Sequence, residues 1–178
     1  MASSGTGKFI VAIGAIIGIV SIILFFISDA AGAWWQVTRN PSIGSTQHWY
    51  MNVFGQFQDQ ESFDPEDLTL GFYGILVAIL VILGSVLGFV AIAKQAKAIG
   101  ILGAVLIIGG IVLFLISLND VEGFQDVISV MEFFSSEDYN VFFGNAQFLG
   151  AWSWSLSFGF FMAAAAGILI LIGTFMLD

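Results

Sequence analysis

The chain has 178 residues, 58% of them hydrophobic and only 10% charged, with a mean hydropathy of +0.99; a soluble domain carries about 25% charged residues, so this composition points to a membrane protein. The absence of cysteine excludes disulfides, thiolate metal sites and cysteine nucleophiles, and a single histidine, His48, excludes a multi-histidine metal or haem centre. Four basic residues against thirteen acidic ones give a net charge of −9, a field that repels phosphate backbones and argues against nucleic acid as a partner.

The first long apolar run is FIVAIGAIIGIVSIILFFIS, residues 9–28. About 20 such residues cross the roughly 30 Å hydrocarbon layer. Lys8 before it and AAGA after it imitate a secretory leader, but an h-region is about 7 to 15 residues, so the run is read as a retained helix. Three further uncharged runs follow, at about 70–93, 98–118 and 156–177. A charge at the bilayer centre costs about 2.5 to 3.5 kcal/mol, so the lack of internal charge fits spans and not a soluble core. The chain is thus expected to be a single all-α membrane domain, a four-transmembrane-helix bundle with outer segments 29–69 and 119–155.

The first outer segment holds more than a connection needs. WWQVTR (Trp34–Arg39) and TQHWYMNVFGQF (Thr46–Phe57) flank the turn cluster NPSIGS. In the second stretch Trp49, Met51 and Val53 alternate with His48, Tyr50, Asn52 and Phe54, and Gly55 suits a bend. A small extracellular antiparallel β-sheet from the first outer segment is expected, with Trp34, Trp35 and Trp49 anchored at the lipid headgroups, where an apolar ring with one polar N–H is favoured. Phe54 and Phe57 are read as exposed rings for self-association. His48 is read as a strand residue and not a ligand.

The cluster DQESFDPED supplies Asp59, Glu61, Asp64, Glu66 and Asp67. Such oxygens attract hard cations, but the spacing and central glycine of an EF-hand are missing. The cluster is read as a solvated acidic face, with Asp67 as a cap for the second helix.

Lys94 and Lys97 lie in the tight turn between spans two and three, on the same side as Lys8. Basic residues in short loops mark the cytoplasmic side. Both termini are therefore expected there, in an integral protein of the plasma membrane. In the second outer segment Phe124, Val127, Ile128 and Met131 keep helical spacing, so the third helix is expected to run on until Ser135-Ser136. YNVFFG (Tyr139–Gly144) is read as one short strand, and Trp152 and Trp154 as interface anchors. Asp178 closes the sequence directly after span four, and no cytoplasmic tail is expected.

Small residues recur four apart: Gly14 and Gly18, Gly84 and Gly88, Gly100 and Ala104, and Gly159, Ala163 and Gly167. In lipid, close backbone approach over such residues supplies the contact energy, so a tight bundle is expected. Ser21, Ser85, Ser117 and Thr174 are the hydroxyls well inside the spans, and bonds back to their own helix suffice for them. Spans with no ionisable group offer no ion pathway of the usual kind.

These features together resemble the claudin and peripheral-myelin-protein superfamily of tetraspan proteins. The likeness rests on two outer segments with a short inner turn and on Trp34 or Trp35 in the place of the first tryptophan of the claudin outer segment. It rests also on Trp49 in HWYMN in the place of the second, and on Pro65, Glu66, Asp67 and Leu68 against a Pro-x-Asp-Leu run before span two. GILGAVLIIGG in span three and GAWSW before span four are similar in flavour. There is no Gly-Leu before Trp49, no cysteine pair to clasp the sheet and no basic residue after the Pro-x-Asp-Leu run, so tight-junction function is not carried over.

With no nucleophile, oxyanion site or cofactor fingerprint, no enzyme activity, cofactor or small-molecule substrate is expected. The expected role is a non-enzymatic structural tetraspan that self-associates or adheres through its outer segments, with the lipid bilayer, itself or other membrane proteins as partners. The alternatives are a small accessory subunit of a larger membrane complex, or a cation-selective pore-forming oligomer.

Overall fold

The computed structural model describes residues 4–57, 70–120, 125, 129, 132–133, 140–147 and 149–177. Four helices are long and apolar enough to cross a membrane. Helix α1 is Ser4–Ile23, extended by a 3-10 turn Leu24–Phe26 and followed by the short α2, Asp29–Gly32. Helix α3 is Gly71–Lys94, α4 is Lys97–Asp120 and α5 is Phe158–Phe175. At 1.5 Å per residue, the 24 residues of α3 span about 36 Å. A helix lies at each of the four apolar runs, with ends shifted by a few residues.

The long helices form a ring in the order α1, α3, α4, α5, with α1 and α5 closing it. Glycine sets their spacing. A Cβ on Gly103 would lie 2.6 Å from the Gly84 carbonyl oxygen, and one on Gly84 would strike the Gly103 carbonyl, so α3 and α4 touch backbone to backbone. Gly14 faces the backbone of Ala166 and Ile170, Gly18 faces Ser85, and Gly100 faces Thr174. The small-residue spacing thus serves contacts within one chain. Ser21, Ser85 and Ser117 bond back to Gly18, Val81 and Leu113 carbonyls at 2.7, 2.8 and 2.7 Å. Thr174 does not follow them: it is fully buried, and its hydroxyl has no partner among the described residues.

The link between α3 and α4 is two residues. Gln95 takes the left-handed conformation (φ 51°) and the Ala96 N–H returns to the Ala91 carbonyl, which closes α3 beside Lys94.

At the other end of the bundle lies a four-stranded antiparallel sheet, ordered β2-β1-β4-β3. Its strands are β1 (Trp35–Asn40), β2 (Gln47–Met51), β3 (Phe143–Gln147) and β4 (Ala151–Leu156). The expected hairpin is there, in the register Val37↔Trp49. The sheet is nevertheless twice the size expected. The second connection adds a hairpin of its own, and β1 pairs with β4 at the centre, Val37↔Trp154. The strand expected at YNVFFG is there but shifted: β3 begins at Phe143 and runs on to Gln147, while Tyr139 lies outside the described residues. The stretch 151–156, expected as an interfacial lead into span four, is β4.

The helical spacing at Phe124, Val127, Ile128 and Met131 and the break at Ser135-Ser136 fall outside the described residues; Gln125, Ser129, Glu132 and Phe133 are helical.

Candidate functional site: the sheet at the end of the bundle

Period-two alternation gives the sheet two unlike faces. One carries Trp35, Val37, Arg39, Trp49, Met51, Trp152, Trp154 and Leu156; most of these are buried. The opposite face carries Gln36, Thr38, His48, Tyr50, Phe143, Asn145, Gln147, Ser153 and Ser155. Arg39 is the one formally charged side chain in all four strands. Its guanidinium lies 5.0 Å from the Trp152 ring centroid, a cation–π contact. The acids of both connections therefore lie outside the strands, and the sheet is an acid-free module with a single cation in an acidic chain.

The tryptophans correct the anchor expectation. Trp34, Trp35, Trp49 and Trp154 are buried in protein and do not stand at an outer surface; Trp152 is half-buried. An apolar site would strand an indole N–H, and backbone carbonyls prevent that here. Trp34 donates to Ser21 at 3.0 Å, Trp35 to Val141 at 2.8 Å and Trp154 to Asn140 at 2.7 Å. Trp49 and Trp152 stack in near-parallel planes, 6.0 Å between centroids.

The Phe54 and Phe57 pair is corrected too. Phe57 is 5% exposed and meets Trp35 edge-on at 6.3 Å, so it is a core residue. Phe54 is half-buried, 6.4 Å from Phe26, and Gly74 of α3 lies against its backbone. The reason is a loop built on Asn52. This residue is 1% exposed, and its Oδ1 accepts the N–H groups of Phe54 and Gln56 at 2.9 and 3.0 Å. The loop turns the strand at Met51 and returns Phe57 to bridge it. Asx chemistry of this kind is visible in sequence only as an Asn close to a Gly. His48 is an exposed strand residue, 3.0 Å from the Thr38 hydroxyl and stacked on Tyr50. Asp59, Glu61, Asp64, Glu66 and Asp67 lie outside the described residues.

Compared with known proteins, the chain matches no family model and no curated protein.

Proposed function

We propose that the chain is an integral membrane tetraspan with a structural, non-enzymatic role, and that it acts by self-association through the sheet end. The observation that carries this reading is the sheet itself. Both connections, which a simple bundle would leave as loops, contribute two strands each to one acid-free, well-packed sheet with buried tryptophans. The likeness to claudins in topology supports the same reading, and the lysines at the opposite turn support a cytoplasmic location for that turn and for both termini.

The bundle interior favours this role over conduction. Its buried polar groups are hydroxyls, three of them bonded to their own helix, and its centre is filled by glycine–backbone contacts and aliphatic side chains such as Ile107 and Ile170. Among the described residues no polar stripe is available for an ion to follow.

Sizing of the purified full chain in mild detergent and in lipid nanodiscs tests the reading. A repeated homo-oligomer is expected. A monomer at all concentrations would remove self-association as the mode of action, and defined foreign chains that co-purify in fixed ratio would move the role to an accessory subunit.

A further inference from the structure

The sheet is open, and its two edges differ. At the Met51 end of the β2 edge the chain returns on itself: Met51 is bridged by Phe57, and the Asn52 N–H donates to the Gln56 carbonyl at 3.0 Å. Among the described residues the β3 edge has no such cover. Its outward groups follow from the register. The Leu156 N–H donates to the Phe142 carbonyl at 3.0 Å, so Phe142 and Leu156 are a hydrogen-bonded pair. Antiparallel ladders alternate such pairs with non-bonded ones. Gly144 and Ala146 therefore turn their backbone groups toward β4, and Phe143, Asn145 and Gln147 turn theirs outward.

Asn140 uses one of these groups, since its Oδ1 accepts the Phe143 N–H at 2.9 Å. The Phe143 carbonyl and both backbone groups of Asn145 and Gln147 have no partner among the described residues. Folded proteins protect such an edge with a lysine, a proline, an inward charge, a bulge or a covering segment. The sequence of β3 is FGNAQ, with none of those side chains. Its outward-face side chains Phe143, Asn145 and Gln147 are exposed, and no charged residue occurs from Asn140 to Ser157.

We propose that β3 is the self-association edge, and that two copies of this chain join their sheets by antiparallel β3–β3 pairing centred on Asn145. This rests on the self-association reading above and names its surface. The strand is self-complementary in that register. Each Asn145 exchanges both backbone bonds with its counterpart, and each Gln147 N–H meets the other copy's Phe143 carbonyl. In a full ladder the Phe143 N–H would meet the other copy's Gln147 carbonyl; Asn140 already holds that N–H, so the pairing has four cross-copy backbone bonds and leaves the Gln147 carbonyls outward. On the shared face Phe143 lies over Gln147 of the second copy and the two Asn145 amides meet. Charge selects this occupant: a chain of net charge −9 meets its own repulsion in the acidic segments, and this edge lets two copies touch where neither carries charge.

The cysteine-free background makes the register testable. A hydrogen-bonded antiparallel pair places its Cα atoms about 5.5 Å apart, inside the roughly 4.4 to 6.8 Å range of disulfides. Asn145→Cys in the full chain, reconstituted in liposomes and mildly oxidised, is expected to give a covalent dimer. Phe143→Cys alone is not, because the two copies of that position are about 14 Å apart at 3.4 Å per residue; mixed with Gln147→Cys it is expected to cross-link. Ser153→Cys, exposed on the same face but in β4, is expected to stay monomeric. Asn145→Asp sets two carboxylates together at the two-fold and should weaken the dimer roughly tenfold with unchanged helical content. Oligomers by sizing without the Asn145→Cys cross-link would overturn β3 pairing and leave self-association standing. Equal cross-linking by Ser153→Cys would overturn it as well, and a monomer throughout would remove both.

Discussion

The indole N–H of Trp34 donates to the backbone carbonyl of Ser21 at 3.0 Å. Ser21 lies in the last turn of α1, where carbonyls lose their helical partners. Trp34 has no exposed surface, and its ring packs on Phe114 of α4 at 5.0 Å and Phe160 of α5 at 6.0 Å. One side chain thus fastens the start of the sheet to three helices. Trp34→Phe keeps most of the ring packing and strands the carbonyl, so stability should fall by about 1 to 3 kcal/mol. Trp34→Ala should cost about 3 to 5 kcal/mol. Denaturation in detergent, followed by near-UV circular dichroism, measures both; equal losses for the two variants would mean that the ring contributes nothing beyond the hydrogen bond.

The α3–α4 contact gives a paired prediction. Gly103→Ala forces a methyl against the Gly84 carbonyl and should cost about 1 to 3 kcal/mol through overpacking. Gly109, in the same helix, has nothing within 4 Å of its would-be Cβ. Gly109→Ala should be neutral, or stabilising by up to about 1 kcal/mol from helix propensity. Thermal unfolding of the two variants beside the unmodified chain distinguishes them.

Thr174 offers a gain. Its buried hydroxyl lacks a partner among the described residues, and Thr174→Val keeps the shape while removing it. The variant should be more stable by about 1 kcal/mol, because no desolvated hydroxyl remains. A loss of similar size, with no change in helix content, would show that the hydroxyl is satisfied in the folded protein.

The proposed orientation is checked with single cysteines. Ile43, 93% exposed in the β1–β2 turn, and Gln95, in the α3–α4 turn, lie at opposite ends of the bundle. In intact cells an impermeant thiol reagent should label Ile43→Cys and leave Gln95→Cys untouched until the membrane is permeabilised. The reverse pattern would invert the orientation.

The helices were legible because each is a long uncharged run, and the β1–β2 hairpin because its alternation is flanked by turn residues. The second hairpin was harder for a physical reason. AWSWSL alternates as cleanly as any strand, with Trp152, Trp154 and Leu156 on one face and Ser153 and Ser155 on the other. Placed just before an apolar run, however, a Trp pair has the composition of a membrane-interface belt, and local pattern cannot show that β1 lies beside it. The burial of Trp34 and Phe57 was hidden likewise: their partners Ser21, Phe114 and Trp35 are set by tertiary geometry. The open β3 edge has no signature except the absence of guarding residues, which means nothing until the strand order is known.

The central strand pair joins Trp35 to Leu156, so its two halves are synthesised far apart in time. β1 emerges soon after α1, and it must wait for α3 and α4 before β4 arrives beside it. Until then the β1–β2 hairpin has one unpaired side with its tryptophans only partly enclosed, and long-range pairing of this kind is slow to form. The sheet therefore closes late: a nascent chain that has not yet made β4 leaves β1 with β2 as its one neighbour.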